Sequence, residues 1–269
     1  MTKKDLLKQY SPWSPSKATL AATCPLAFKF RYVDHIKVPK KNATGIIGVV
    51  VHRAQELVLA NTHDVSSALS QALEENTDPL TEEDVRKIHG FAVGLSAFKQ
   101  RIDKFCAAYE VDKILLEKKW AILPDFAPCE FDNPDSVIRG VLDLAVLLKS
   151  GQVIVIDHKT GRRRPASYYK PQLDIYTVFA LSHLPRTYSV QCALHYVAHQ
   201  SLEWSTPTYR QQIEQLLRPW LLIYLRRRAE RADTQTANPG KHCKWCDFNE
   251  ICDHAYREPR DAEIGTSDG

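Results

Sequence analysis

Two carboxylates interrupt stretches that otherwise hold almost only apolar side chains. One is Asp143, in Arg139-Gly140-Val141-Leu142-Asp143-Leu144-Ala145-Val146. The other is Asp157, in Val153-Ile154-Val155-Ile156-Asp157-His158-Lys159. A carboxylate in such a setting costs free energy unless it is paired or holds a cation. If the two stretches form a hairpin, both acids converge on one sheet edge, where paired oxygen ligands suit Mg²⁺ or Mn²⁺. Lys159 follows Asp157 by two residues and shares its face of the strand. An ammonium there can orient an attacking water and offset charge developing on a phosphate. The plainer alternative is an Asp157–Lys159 ion pair at a strand end. His52, in the apolar stretch Val49-Val50-Val51-His52, is either a satisfied core imidazole or a further metal ligand. Gln172 and Tyr176 are four apart and share a helix face. Both side chains can bond a phosphate or a base edge, or simply face solvent.

A second group of chemistry-bearing residues lies near the C-terminus. Cys243, Cys246 and Cys252 are spaced C-x₂-C-x₅-C, which leaves a tetrahedral ion or a cubane cluster one ligand short. Cys24 can supply the fourth thiolate and clasp the two ends of the chain together. Zn²⁺ completed by His242 or His254, or no metal at all, are the alternatives, and spacing does not separate zinc from iron–sulfur. Cys106, Cys129 and Cys192 are isolated. Clustered thiols in a reducing compartment point to metal rather than to disulfides.

The 269 residues carry a net charge of +4, with 44% hydrophobic and 25% charged side chains, values that exclude a disordered chain. The longest apolar run, near Ile46 to Val51, stops at His52 and Arg53, far short of the roughly 20 residues a membrane span needs. Met1-Thr2-Lys3-Lys4-Asp5 has no apolar segment of a secretory signal, so a cytoplasmic protein without membrane contact is expected. Basic runs at Arg162-Arg163-Arg164 and Arg226-Arg227-Arg228 suit a polyanion. The first is followed by Tyr168-Tyr169-Lys170, so cations and stackable rings lie close to the acids. Arg31, Tyr32, Lys37, Lys40 and Lys41 form a second candidate bank, and Trp245 is core or a stacking platform.

The elements that must position these residues follow from periodicity. Ser14-Pro15-Ser16 reads as a helix entry. Helices are expected over 18–32 with an interruption near Pro25, 44–61, 64–75, 81–109, 167–184 and 208–231. Strands are expected over 113–123, 137–149, 152–158 and 188–199, the middle pair joined at Ser150-Gly151. The order implies a mixed α/β core with helical material inserted ahead of it.

Gly140-Val141-Leu142-Asp143, Ile156-Asp157-His158-Lys159-Thr160-Gly161 and Gln172-Leu173-Asp174-Ile175-Tyr176 together resemble the PD-(D/E)XK nuclease superfamily. Upstream His52, and Ser14-Pro15-Ser16 followed by Cys24-Pro25, are similar to its RecB-like, CRISPR-associated exonuclease branch. The resemblance spans residues 14 to 252. It implies a restriction-endonuclease-like α/β fold: a mixed central sheet flanked by helices, with an N-terminal helical insertion and a C-terminal cysteine lobe. One nuclease domain over 1–260 is expected, including a helical region at about 44–110 and an iron–sulfur lobe at about 240–256 closed by Cys24, before a mobile acidic tail at 261–269. Asp143, Asp157 and Lys159 would be catalytic, and His52, Asp143 and Asp157 would bind Mg²⁺ or Mn²⁺. Glu117 could be an outer acid. Gln172, Tyr176, Arg162, Arg163 and Arg164 would contact DNA, and Cys24, Cys243, Cys246 and Cys252 would hold a [4Fe–4S] cluster. Asp157 departs from the many relatives that carry Glu there. The implied activity is exonucleolytic hydrolysis of DNA, on single strands from the 5′ end, in recombination, repair or processing. Recombination, helicase or CRISPR proteins are the implied partners. A catalytically silent DNA-binding adaptor stabilised by a metal cluster is the alternative.

Overall fold

The computed structural model describes residues 3–39 and 43–257. Lys40 and Lys41 of the second basic bank, and the tail at 261–269, lie outside them. Three short helices open the chain: α1 (Lys3–Gln9), α2 (Pro15–Thr23) and α3 (Pro25–Tyr32). Ser14 Oγ accepts from Lys17 N at 3.1 Å and caps α2. Pro15 and Pro25 occupy first-turn positions, where a missing N–H costs nothing. The expected interruption near Pro25 is thus a junction of two helices, with Cys24 between them.

Four more helices follow: α4 (Ala43–Leu59), α5 (Val65–Glu74), α6 (Glu82–His89) and α7 (Ala92–Ala108). Asp64 caps α5, and Thr81 with Asp84 forms a capping box on α6. The single helix expected over 81–109 is therefore two, broken at Gly90-Phe91. Gly90, a poor helix former, closes α6. Beyond the break, α7 lies so close to the turn after the fifth strand that a Cβ on Gly94 would fall 2.1 Å from Val197 O. Only glycine permits that approach.

The sheet comprises β1 (Val111–Ile122), β2 (Pro128–Cys129), β3 (Ile138–Leu148), β4 (Gln152–Lys159), β5 (Ser189–Tyr196), β6 (Ser201–Trp204) and β7 (Thr208–Tyr209). The order is β2-β1-β3-β4-β5-β6, with β7 also paired to β5. Every pairing is antiparallel except β4 with β5, which α8 (Lys170–His183) connects as a crossover. Gly151, at φ 88°, makes the tight turn between β3 and β4. The mixed sheet flanked by helices is the restriction-endonuclease-like architecture expected.

The helix expected from residue 208 begins later, because Thr208 and Tyr209 pair with Val190 and Ser189 instead. Threonine and tyrosine both favour an extended backbone. A short helix α9 (Arg210–Gln212) and a π turn (Ile213–Leu217) then lead into α10 (Arg218–Asp233).

The two sheet faces carry separate layers. Leu142, Ala145, Val153 and Val155 pack with α8, α10 and the opening helices. Leu144, Val146, Ile154 and Ile156 pack with Phe98 and Ile102 of α7. Alternation therefore slips between Leu142 and Leu144, at Asp143. The β3–β4 ladder also stops there, with Leu144 opposite Ile156 as its last pair toward the acids. Asp143 and Asp157 occupy the next position, where the strands part.

Candidate active site

The parted strands create the site. Beyond the end of the β3–β4 ladder, His158 N donates to Asp143 Oδ2 at 2.7 Å. A side chain thus takes over from the main-chain acceptor. His52, on the turn of α4 facing the sheet, places Nδ1 3.3 Å from the same oxygen. Burial opposes charge on both, yet their mutual attraction wins: His52 is pushed up to about 9 and Asp143 down to about 2.

Glu117 lies on β1 between the partners of Leu144 and Leu142, across from Asp143. Its backbone has φ 44°, in the left-handed region that a glutamate rarely occupies. Burial, and then the charge of Asp143, push its carboxyl up to about 7. Ligand atoms of His52, Glu117 and Asp143 lie within 4.8 Å of one another. Two half-buried carboxyls, of which Asp143 makes Glu117 costlier to ionise, form with one imidazole a donor set that a divalent cation would relieve. These three residues fit a metal.

Asp157 is engaged differently. It is only 3% exposed. Its Oδ1 accepts from Gln172 Nε2 at 2.8 Å and from Tyr176 OH at 3.1 Å. Its Oδ2 forms an ion pair with Lys159 Nζ at 2.6 Å. Burial, and then Asp143, push the Asp157 carboxyl up. Burial pushes Lys159 down, but Asp157 outweighs it and the ammonium is retained. Lys159 Nζ also donates to Gln172 Oε1 at 3.1 Å and lies 4.6 Å from the Tyr169 ring centre.

All the sequence-selected residues of this group therefore meet at one place, in two sets. His52 and Asp143 form one with Glu117; Asp157 and Lys159 form the other with Gln172 and Tyr176. Tyr176 is buried and reaches the site through Asp157 rather than through solvent. Arg162, Arg163 and Arg164 are exposed on the loop after β4, where Arg163 pairs with Glu203.

Behind the site lie His158, whose backbone carbonyl the resemblance implies would face the metal, and His195, which the sequence does not single out. His158 Nδ1 and His195 Nδ1 are 2.9 Å apart, and His195 stacks on Phe98 with ring centres at 3.9 Å. Burial pushes these imidazoles down, to about 4 and about 2. One donates and the other accepts, which pins the His158 backbone that holds Asp143. Their parallel pairing across β4 and β5 is the signal, and it emerges only once that register is known.

The four cysteines Cys24, Cys243, Cys246 and Cys252 line one cavity with Phe30, Phe248 and Asn249. The surrounding segment contains one regular turn, Lys241–Trp245. It is tied to the opening helices by Asn238 Nδ2 donating to Thr23 O at 2.7 Å, by an Arg31–Asp247 ion pair and by Phe30 against Phe248. Burial pushes the Cys246 thiol up. Trp245 is 54% exposed, which makes it a surface ring rather than core. Among the described residues no helix is long and apolar enough to cross a membrane.

The family model of the PD-(D/E)XK nuclease superfamily matches residues 12–253. No curated protein matches the chain. A solved structure titled "Crystal structure of SSO0001" aligns over 86% of this chain and 96% of its own, at 17% identity and a TM-score of 0.34.

Proposed function

We propose that this chain, which belongs to the PD-(D/E)XK nuclease superfamily and so to a class of metal-dependent nucleases, is a RecB-like DNA exonuclease. Its substrate is single-stranded DNA, degraded from the 5′ end. One observation carries the catalytic reading. Lys159 is shared between Asp157 and Gln172, while Asp143 beside them is already held by His52 and His158.

In this reading Asp143 and Asp157 with His52 hold Mg²⁺ or Mn²⁺, and Glu117 joins them as a further acid. The imidazole tilts the preference toward manganese, because it is a softer donor than magnesium favours. The bound ion supplies Lewis-acid stabilisation of the charge that develops on the scissile phosphate. Lys159 keeps its proton and orients the attacking water. Gln172 aligns Lys159 by accepting its hydrogen bond. Tyr176 and Gln172 hold one oxygen of Asp157 and leave the other facing the site. Arg162, Arg163 and Arg164 draw the phosphodiester backbone toward the acids.

The RecB-like assignment and its [4Fe–4S] cluster are supported by the cysteine geometry. All four thiols line one cavity. Cys24 is brought to the C-terminal trio, the one-plus-three layout of that branch, while His242 on the same cavity keeps zinc as the competing occupant. With this clasp, residues 1–260 act as one nuclease domain. The silent adaptor is disfavoured because Asp143, Asp157 and Lys159 are all present and assembled.

The test is an assay on 5′- and 3′-labelled single- and double-stranded DNA with Mg²⁺, Mn²⁺ or EDTA. The proposal expects mononucleotide or short-oligonucleotide release from the 5′ end of single strands, only with metal. Cleavage from the 3′ end overturns the polarity. No cleavage with any metal, by a brown protein that still binds DNA, favours the adaptor.

A further inference from the structure

Beside the acids, rings and cations form a continuous run. Arg164 lies over Tyr168 at 5.3 Å, and Tyr168 meets Tyr169 edge to face at 4.9 Å. The next residue, Lys170, pairs with Asp174 and also lies 4.6 Å over Trp220 of α10. Trp220 stacks on Tyr224 with ring centres 5.4 Å apart and planes 12° from parallel. Arg228 then caps Tyr224 at 4.7 Å.

Trp220, Tyr224 and Arg228 recur every fourth residue and make one stripe, about 12 Å long at helical rise. The core-facing stripe of α10 is a different one: Leu221, Leu225, Ala229 and Ala232, all buried. Trp220 and Tyr224 are only partly buried, Arg227 beside them is exposed, and Tyr168 is 62% exposed. From Arg218 to Ala229 the helix carries four arginines and no acid. Trp220 and Tyr224 rest on the core along their inner edges, and the parts left exposed are interleaved with guanidinium groups.

We propose that this run is a track for single-stranded DNA leading from the site along α10. Arg164, Lys170 and Arg228 swing from the ring faces they now cover to the phosphates, bases take their places on Tyr168, Trp220 and Tyr224, and exposed Arg227 holds a further phosphate. The pairing of π faces with cations at nucleotide-like spacing matches a single strand, whose bases and phosphates alternate in the same way. An acidic polypeptide offers charge but no rings for these faces. The inference rests on the single-strand reading above, and names where the strand runs.

The experiment measures binding of fluorescent oligothymidylates of about 4 and about 12 nucleotides, lengths that bracket one single-strand site. A Lys159→Ala background prevents cutting. The track predicts that the longer strand binds more tightly. In Tyr224→Ala/Arg228→Gln that gain collapses, by about tenfold to a hundredfold for two lost contacts. Tyr224→Phe keeps the ring and restores it. Arg227→Gln, exposed and harmless to packing, reduces the salt slope for the longer strand by about 0.7, one phosphate contact. A loss equal at both lengths, with melting unchanged, overturns the track, as does no loss at all. Polyglutamate competing as well as the oligonucleotide also overturns it. Failure of the unsubstituted protein to bind either length sinks the single-strand reading itself, whereas length-dependent binding indifferent to these variants sinks the track alone.

Discussion

Asp143 and Asp157 are held in place by the chain, through His158 N, Gln172, Tyr176 and Lys159. Three thiols near the C-terminus and Cys24 near the N-terminus are gathered around a cavity, the three in a segment whose one regular turn is Lys241–Trp245. The first group stands where two long strands part, beneath helices on both faces. The second depends on a few side-chain ties, such as Asn238 to Thr23 and Arg31 to Asp247. The contrast is between a site whose side chains the fold already holds and a lobe that, with the proposed cluster, would gain its order from an inorganic group. Catalysis benefits from preorganised charge. A clasp that joins residues more than two hundred positions apart in sequence gains instead from binding energy that becomes folding energy.

The largest expected effect separates chemistry from stability. Lys159→Ala should lower cleavage by on the order of 10²–10³-fold, as for loss of one transition-state donor, with a cooperative melt retained. A melt that collapses along with activity would make Lys159 a structural ion pair. Next, Cys243→Ser should do the reverse. It should remove the visible absorbance of the cluster and lower the unfolding midpoint, by about 2–4 °C for each kcal/mol lost. Unchanged melting, read by circular dichroism, would mean that the lobe does not clasp the ends.

A third change probes the scaffold behind the acids. In Gly94→Ala the new methyl meets Val197 O at 2.1 Å, so α7 must move, at a cost of about 1–3 kcal/mol in a urea melt. Because α7 carries Phe98, activity should fall further than global stability alone explains.

The smallest effect concerns acid. His195 is held well below its unfolded value near 6.5, so between that value and about 2 the unfolded chain binds the extra proton. Stability contributed by the neutral ring is complete above 6.5 and is lost as pH falls. His195→Asn should flatten the slope of unfolding free energy against pH below 6.5, by at most about 1.4 kcal/mol per pH unit. An unchanged slope would show that the pair is not neutral.

The sequence made the acids legible because a charge inside an apolar strand stands out. Asp143, Asp157 and Lys159 needed only period-two reading, and His52 stood out at the end of Val49-Val50-Val51. Other parts depended on contacts that periodicity does not carry. Glu117 became a close neighbour of His52 and Asp143 through a left-handed backbone and the slip of alternation at Asp143. His195 became a partner of His158 through parallel pairing over a crossover. The break of 81–109 at Gly90 goes with the approach of Gly94 to Val197, 89 residues beyond the end of α7 (197 − 108). Thr208-Tyr209 joined the sheet because β5 offered an edge there, a tertiary fact that overrode the helical pattern following it.

The central claim is that the polypeptide by itself assembles the acid site for a divalent cation. The direct test strips divalent metal with EDTA and follows cleavage, cluster absorbance and the unfolding midpoint on one sample. The account predicts that cleavage vanishes and returns on adding Mg²⁺ or Mn²⁺, while the midpoint moves by no more than about 5–11 °C, the shift for about 2.7 kcal/mol of ligand stabilisation. Cleavage that persists without metal, or a fold that loses its cooperative transition while the cluster absorbance is intact, would contradict it.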